Sequence, residues 1–117
     1  MYIKNIRLLT MVILSCCSIV HADEDRSLNL RAGEVHESCH KLDDGVKLNY
    51  SFESSSPALF NIHYHQGKEI RYPVAEQTIM SNKGTLSADS MQTYCLMWTN
   101  PQSHTLSLHY KVELPVN

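Results

Sequence analysis

Val46-Lys47-Leu48-Asn49-Tyr50-Ser51-Phe52-Glu53 alternates apolar and polar residues without a break. Successive side chains of a strand point to opposite faces, so Val46, Leu48, Tyr50 and Phe52 share one face and the polar four share the other. That is the pattern of a strand buried on one side. Asp43-Asp44-Gly45, immediately before it, is a turn signal.

The same period of two recurs on either side. Leu28, Leu30 and Ala32 alternate with Asn29 and Arg31 and stop at Gly33, while residues 34 to 42 are less regular, with Val35 and Cys39 as candidates for a buried side. Ser54-Ser55-Ser56-Pro57 interrupts the pattern before Phe60, Ile62 and Tyr64 resume it, with Asn61, His63 and His65 on the opposite face. Gln66-Gly67-Lys68 then turns the chain into Ile70, Tyr72 and Val74, so residues 59 to 74 read as a hairpin. Pro73 lacks an amide proton and marks its second strand as an edge. Residues 75 to 83 carry little periodicity, and Asn82-Lys83-Gly84 is a turn before Leu86 and Ala88. Two further runs close the chain, Tyr94 to Thr99 and Leu106 to Leu114, separated by the turn residues Asn100-Pro101-Gln102-Ser103. No stretch shows helical spacing over a useful length. The expectation is an all-β protein, an antiparallel β-sandwich of about seven short strands with one disulfide.

The N-terminus reads differently. Lys4 and Arg7 precede an apolar run from Leu8 to Val20, which ends in Val20-His21-Ala22. This is the layout of a secretory signal, too short to span a bilayer, with cleavage expected after Ala22. Leu14-Ser15-Cys16-Cys17 is a poor lipobox, and a lipid-anchored form is the alternative. The domain plan is therefore a signal peptide over residues 1–22, a flexible charged leader over 23–27 and one domain over 28–115. The exported chain would keep eight of the ten Lys and Arg and all twelve Asp and Glu, a formal charge of −4. Nothing in that balance supplies the clustered positive charge of a nucleic-acid surface. No second long apolar segment follows residue 22, so a transmembrane segment is not expected in the exported chain, whose compartment would be periplasmic or extracellular.

Cys16 and Cys17 would leave with the signal, whereas Cys39 and Cys95 remain. A pair of cysteines in an exported chain reads as a disulfide. A redox or metal-binding thiol pair is the other possibility, although the two form no Cys-x-x-Cys unit.

Tyr94-x-Leu96-x-Trp98-x-Asn100-x-x-Ser103, with the strand Leu106 to Val112 behind it, resembles the closing strands of the Golgi-dynamics (GOLD) domain. That β-sandwich occurs in membrane cargo receptors and in some lipid-transfer proteins. Leu28-x-Leu30-x-Ala32-Gly33, Gly45-Val46-x-Leu48-x-Tyr50-x-Phe52 and Phe60-x-Ile62 are similar to its earlier strands, in the same order. The resemblance implies a β-sandwich interaction module. Its receptors carry a cysteine three residues after the tyrosine, where this chain has Met97, with Cys95 two positions earlier on the same strand face. Their coiled coil, membrane helix and cytoplasmic tail have no counterpart here, so the resemblance implies the module and not the receptor role.

No nucleophile elbow, phosphate-binding glycine loop, zinc-protease helix or calcium loop occurs. Six histidines remain after residue 22, at 36, 40, 63, 65, 104 and 109. His63 and His65 project from one face of a strand about 7 Å apart, a spacing at which both imidazoles can reach one copper or zinc ion. His109 or Glu69 could complete the set. The plainer reading makes them polar residues on the solvent side of a sheet. The sequence thus points to a non-catalytic binding module with an unidentified protein partner and no cofactor, acting through sheet edges such as Arg71 to Val74. The alternative is a copper- or zinc-binding protein centred on His63 and His65.

Overall fold

A computed structural model describes residues 23–114, which form six antiparallel strands and, among the described residues, no helix. The strands are β1 (Glu24–Leu30), β2 (Val35–Leu42), β3 (Lys47–Gln66), β4 (Glu69–Ser87), β5 (Gln92–Thr99) and β6 (Leu106–Glu113). The expected signal peptide, with Cys16 and Cys17, lies outside the described residues.

β3 organises everything else. Asn49 to Ser54 pair with β6, Leu59 to His63 pair with β5, and β4 runs along the other edge of both halves. β1 extends the sheet beyond β6 and β2 extends it beyond β5, giving the order β1-β6-β3-β5-β2. Between the two halves the ladder slips: Glu53 opposes Ser81 but Ala58 opposes Ile79, so β3 carries extra residues at Ser54-Ser55-Ser56-Pro57. Such a bulge bends the bulged strand. Phe52 and Phe60 would stand about 26 Å apart on a straight strand, yet their ring centroids are 4.6 Å apart. The sheet therefore folds over on itself as a half-barrel, with two wings whose inner faces meet.

The fold corrects the expected count and layering. Ser54 to Pro57 do not end a strand; they join two expected strands into one. Residues 75 to 83 likewise continue β4, and residues 34 to 42, expected to be less regular, contain β2. The result is six strands paired into one continuous sheet where about seven in a sandwich were expected. Residues 24 to 27, expected as a flexible leader, belong to β1, because Glu24 to Ser27 pair with Val112 to His109 on β6.

Between the wings lies an aromatic core. Trp98 stacks on Tyr110 at 4.5 Å and on Phe60 at 5.5 Å, while Phe52 meets its edge at 5.7 Å. Leu30, Leu48, Ile62, Leu96, Leu106, Leu108 and Val112 fill the rest, all essentially inaccessible. Gly84 is needed for this packing: a Cβ there would come within 2.5 Å of the Tyr50 hydroxyl, since the Tyr50 ring lies across its cross-strand partner.

Cys39 and Cys95 face each other across β2 and β5 and are joined, 56 residues apart in sequence. Both point outward, Cys39 exposed and Cys95 buried.

Candidate functional site

Two polar groupings stand out, one inside the mouth of the half-barrel and one on the outer face of the β2-β5-β3-β4 wing. The inner one arises from an inverted phase in β2. Val35 was a candidate for the buried side but is half exposed, and His36, Ser38, His40 and Leu42 face inward instead. β1 and β2 share no backbone pairing among the described residues, and side chains cross the gap between them. Ser38 Oγ donates to Glu24 Oε2 at 2.6 Å, the Tyr110 hydroxyl donates to Glu24 Oε1, and His40 Nε2 stands 3.4 Å from the same carboxylate. His36 Nε2 is 3.0 Å from the Tyr110 hydroxyl.

Burial pushes the Glu24 carboxyl up, but the bonds from Ser38 and Tyr110 and the charges of His40 and Arg26 outweigh it and hold the group below its ordinary value. Burial lowers both His36 and His40. It also raises Tyr110, together with its bond to Glu24, to about 12. Serine, histidine and glutamate meet here, but not as a hydrolytic triad. The carboxylate bonds the serine directly, where a triad needs it on the far imidazole nitrogen, and Ser38 is only 4% exposed. The arrangement is a polar latch between two edge strands.

On the outer face, Asn61 and His63 are buried, at 1% and 5% exposure, where solvent-side residues were expected. The neighbours come from β3 itself and from β2 and β4. His63 Nδ1 is 2.8 Å from Asn61 Oδ1, its Nε2 is 3.5 Å from Glu37 on β2, and the rings of His65 and Tyr72 lie 5.4 and 6.0 Å away. A shallow cavity of about 250 Å³ opens beside this group, lined by Asn61, Tyr72, Ala75, Glu76 and Met97.

The structure thus keeps His63 and His65 together but leaves His109 apart. His109 faces outward from the other wing, where Nε2 is 2.7 Å from Asp25 and Nδ1 is 3.7 Å from Glu53. Glu69 is engaged by Arg71 at 2.5 Å. Among the described residues, the one set of three close potential ligands is Glu37, Cys39 and Cys95, and both sulfurs belong to the disulfide.

The cluster Tyr94, Leu96, Trp98, Asn100 and Ser103 serves the core and the β5–β6 turn. Tyr94, Leu96 and Trp98 are inaccessible, and the Tyr94 hydroxyl donates back to the Ser90 carbonyl at 2.9 Å. Asn100 Nδ2 donates to the carbonyls of Leu30 and His104, and Asn100 Oδ1 accepts from the Gln102 amide. Its backbone also pairs with Gly33 and Glu34, so one side chain and its peptide groups clamp the β1–β2 turn to the β5–β6 turn. Ser103 is exposed in the same turn.

β4 pairs only with β3 among the described residues, and most of Glu69 to Met80 is exposed, Ile70, Tyr72 and Met80 included. The Arg71 to Val74 segment carries a slip in which Tyr72-Pro73 oppose His63 alone, and Ala75-Glu76 oppose Asn61 in the next. Bulges and proline blunt an edge against strand addition, so this segment presents side chains to a partner more readily than backbone.

No protein-family model matches the sequence, and no curated protein matches it in sequence. The fold is similar to that of PliG from Aeromonas hydrophila, a periplasmic inhibitor of g-type lysozyme, with a TM-score of 0.58 at 12% identity over 80% of this chain and 86% of that one. It is also similar to the mitogen derived from Yersinia pseudotuberculosis, with a TM-score of 0.50 at 11% identity over 84% of this chain and 88% of that one. These likenesses show a small all-β fold. The GOLD resemblance gains nothing from the family and sequence comparisons.

Proposed function

We propose that this chain is a non-catalytic protein-binding module of an exported compartment, acting by occupying the surface of a protein partner. The observation that carries the reading is the fold shared with a periplasmic lysozyme inhibitor over four-fifths of the chain. The disulfide fits an oxidising compartment. Among the described residues no helix is long and apolar enough to cross a membrane. The finer, GOLD-like reading rests on the Tyr94 to Ser103 cluster, whose side chains make core and turn contacts that many sandwiches and half-barrels need.

Capture with the tagged exported chain from the envelope or secreted fraction of its own host tests the proposal, alongside inhibition of a g-type lysozyme. A stoichiometric protein partner, lysozyme or another, is the expected result. A chain that captures nothing and leaves the lysozyme fully active would overturn it. The metal-binding alternative is favoured only by the nearness of the His63 and His65 rings.

A further inference from the structure

The outer wing carries two adjacent cross-strand rows. Glu37 on β2 opposes Met97 on β5, Met97 opposes Asn61 on β3, and Asn61 faces the Ala75-Glu76 slip on β4. In the next row Cys39, Cys95 and His63 lead to the Tyr72-Pro73 slip. The first row thus has a carboxylate at each end, and the cavity lies over its Glu76 side as a trough, with Met97 and Asn61 as floor and Tyr72 in its wall. Three inter-strand gaps separate Glu37 from Glu76, about 14 Å of backbone.

Among the described residues neither carboxylate has a Lys or Arg within ion-pair distance. Glu37 lies 3.5 Å from His63 and beside the disulfide, while Arg71 is held by Glu69 and Lys41 stands beyond the disulfide on β2. The floor is built, too: Asn61 is 99% inaccessible, its Oδ1 is engaged by His63, and the residue lines the cavity. Aromatic and thioether surfaces suit the stem of a long cationic side chain, whose head then reaches a carboxylate.

We infer that this trough receives a basic segment of a partner protein, two Lys or Arg side chains about 14 Å apart engaging Glu37 and Glu76. The inference rests on the protein-binding reading above and adds the site and the chemistry of the partner. The formal charge of −4 on the exported chain favours the same kind of partner.

The probe is a capped Arg-Gly-Gly-Gly-Arg peptide, whose extended charge spacing is about 14 Å, titrated into the isotope-labelled exported chain and followed by amide shifts. Saturable one-to-one shifts centred on Glu37, Asn61, Tyr72, Glu76 and Met97 are expected, weakening at least tenfold in the Glu37→Gln, Glu76→Gln double variant. Both side chains are exposed, and an unchanged unfolding midpoint confirms that the variant is folded. Glu113→Gln, on the other wing, should leave binding unaltered. Absence of shifts, or equal weakening by Glu113→Gln, would overturn the trough. So would shifts at these residues that grow with protein concentration without peptide, which would mean that a second copy covers the face. The capture experiment separates the two levels. A partner retained equally by wild type and double variant removes the trough but keeps the protein-binding reading, whereas peptide binding at the trough with no partner captured removes only that reading.

Discussion

Ser38 Oγ reaches Glu24 Oε2 at 2.6 Å across two strands that share no backbone pairing among the described residues, so side chains alone close this side of the half-barrel. Glu24 stands at the head of β1 and Ser38 in the middle of β2. The aromatic core is therefore shielded at its open side by groups that titrate.

This gives stability a worked pH dependence. His36 and His40 have lowered pKa values when folded, so the unfolded chain binds protons more readily and stability falls as pH drops below about 6.5. Glu24 is also lowered; its contribution is present above the ordinary carboxylate range and is lost as pH falls through the folded value. Tyr110 is raised to about 12, so its contribution holds below about pH 10 and disappears between there and 12. Thermal unfolding from pH 3 to 12 should give a dome. His40→Gln should flatten the shoulder between pH 7 and 5, and Glu24→Gln the steeper limb below it. A flat wild-type midpoint from pH 7 to 5 would show that the histidines titrate as in solvent.

The latch was the part least legible in the sequence. Residues 34 to 42 carry Val35 and Cys39 on the outer face, and their inner face is polar apart from Leu42 at its end, so an apolar-inward rule assigns the phase backwards. What makes His36, Ser38 and His40 acceptable inside is Glu24 and Tyr110, 14 and 74 residues away for the Ser38 and His36 bonds, and such partners leave no local pattern. The runs at 46 to 53, 60 to 64 and 106 to 112 were legible because each buries one face against apolar neighbours. Ser54 to Pro57 read as a break for a sound local reason, yet the chain uses them as a bulge. His63 was placed on the correct face, but its burial comes from Glu37 and Tyr72 on other strands.

Trp98 should separate packing from hydrogen bonding. It is fully buried, and Nε1 has no acceptor among the described residues. Trp98→Ala should cost about 3 to 5 kcal/mol by leaving a cavity among Phe52, Phe60 and Tyr110. Trp98→Phe should cost less than about 2 kcal/mol, since it also removes a donor that is buried unpaired. Equal losses for the two, measured by denaturant unfolding, would mean that the indole N–H is bonded in solution.

The disulfide should respond to reductant without prior unfolding, because Cys39 is exposed on edge strand β2. On the chain-entropy account its closed loop contributes about 4 kcal/mol. A Cys39→Ser, Cys95→Ser variant should therefore lose several kcal/mol in chemical denaturation while keeping a strand-rich circular dichroism spectrum at low temperature. Two freely alkylated thiols in the native protein would remove the cross-link from the fold.

Metal binding at His63 and His65 should be weak. Two imidazoles leave a zinc or copper site incomplete, and the His63 nitrogens already face Asn61 and Glu37. Recruiting His63 as a ligand would cost at least one of those contacts in a buried setting, and His109 is on the opposite wing with Asp25 and Glu53. Titration with copper(II) or zinc by calorimetry should show low affinity, shared among several histidines and little changed by His65→Ala alone. His63→Ala, unlike an outward substitution in solvent, should lower the metal-free unfolding free energy by about 1 to 3 kcal/mol, because it leaves the buried Asn61 Oδ1 without its His63 partner. Submicromolar, one-to-one binding that is abolished by His65→Ala would show that the pair recruits a third ligand in solution, and metal handling would then displace protein binding as the primary function.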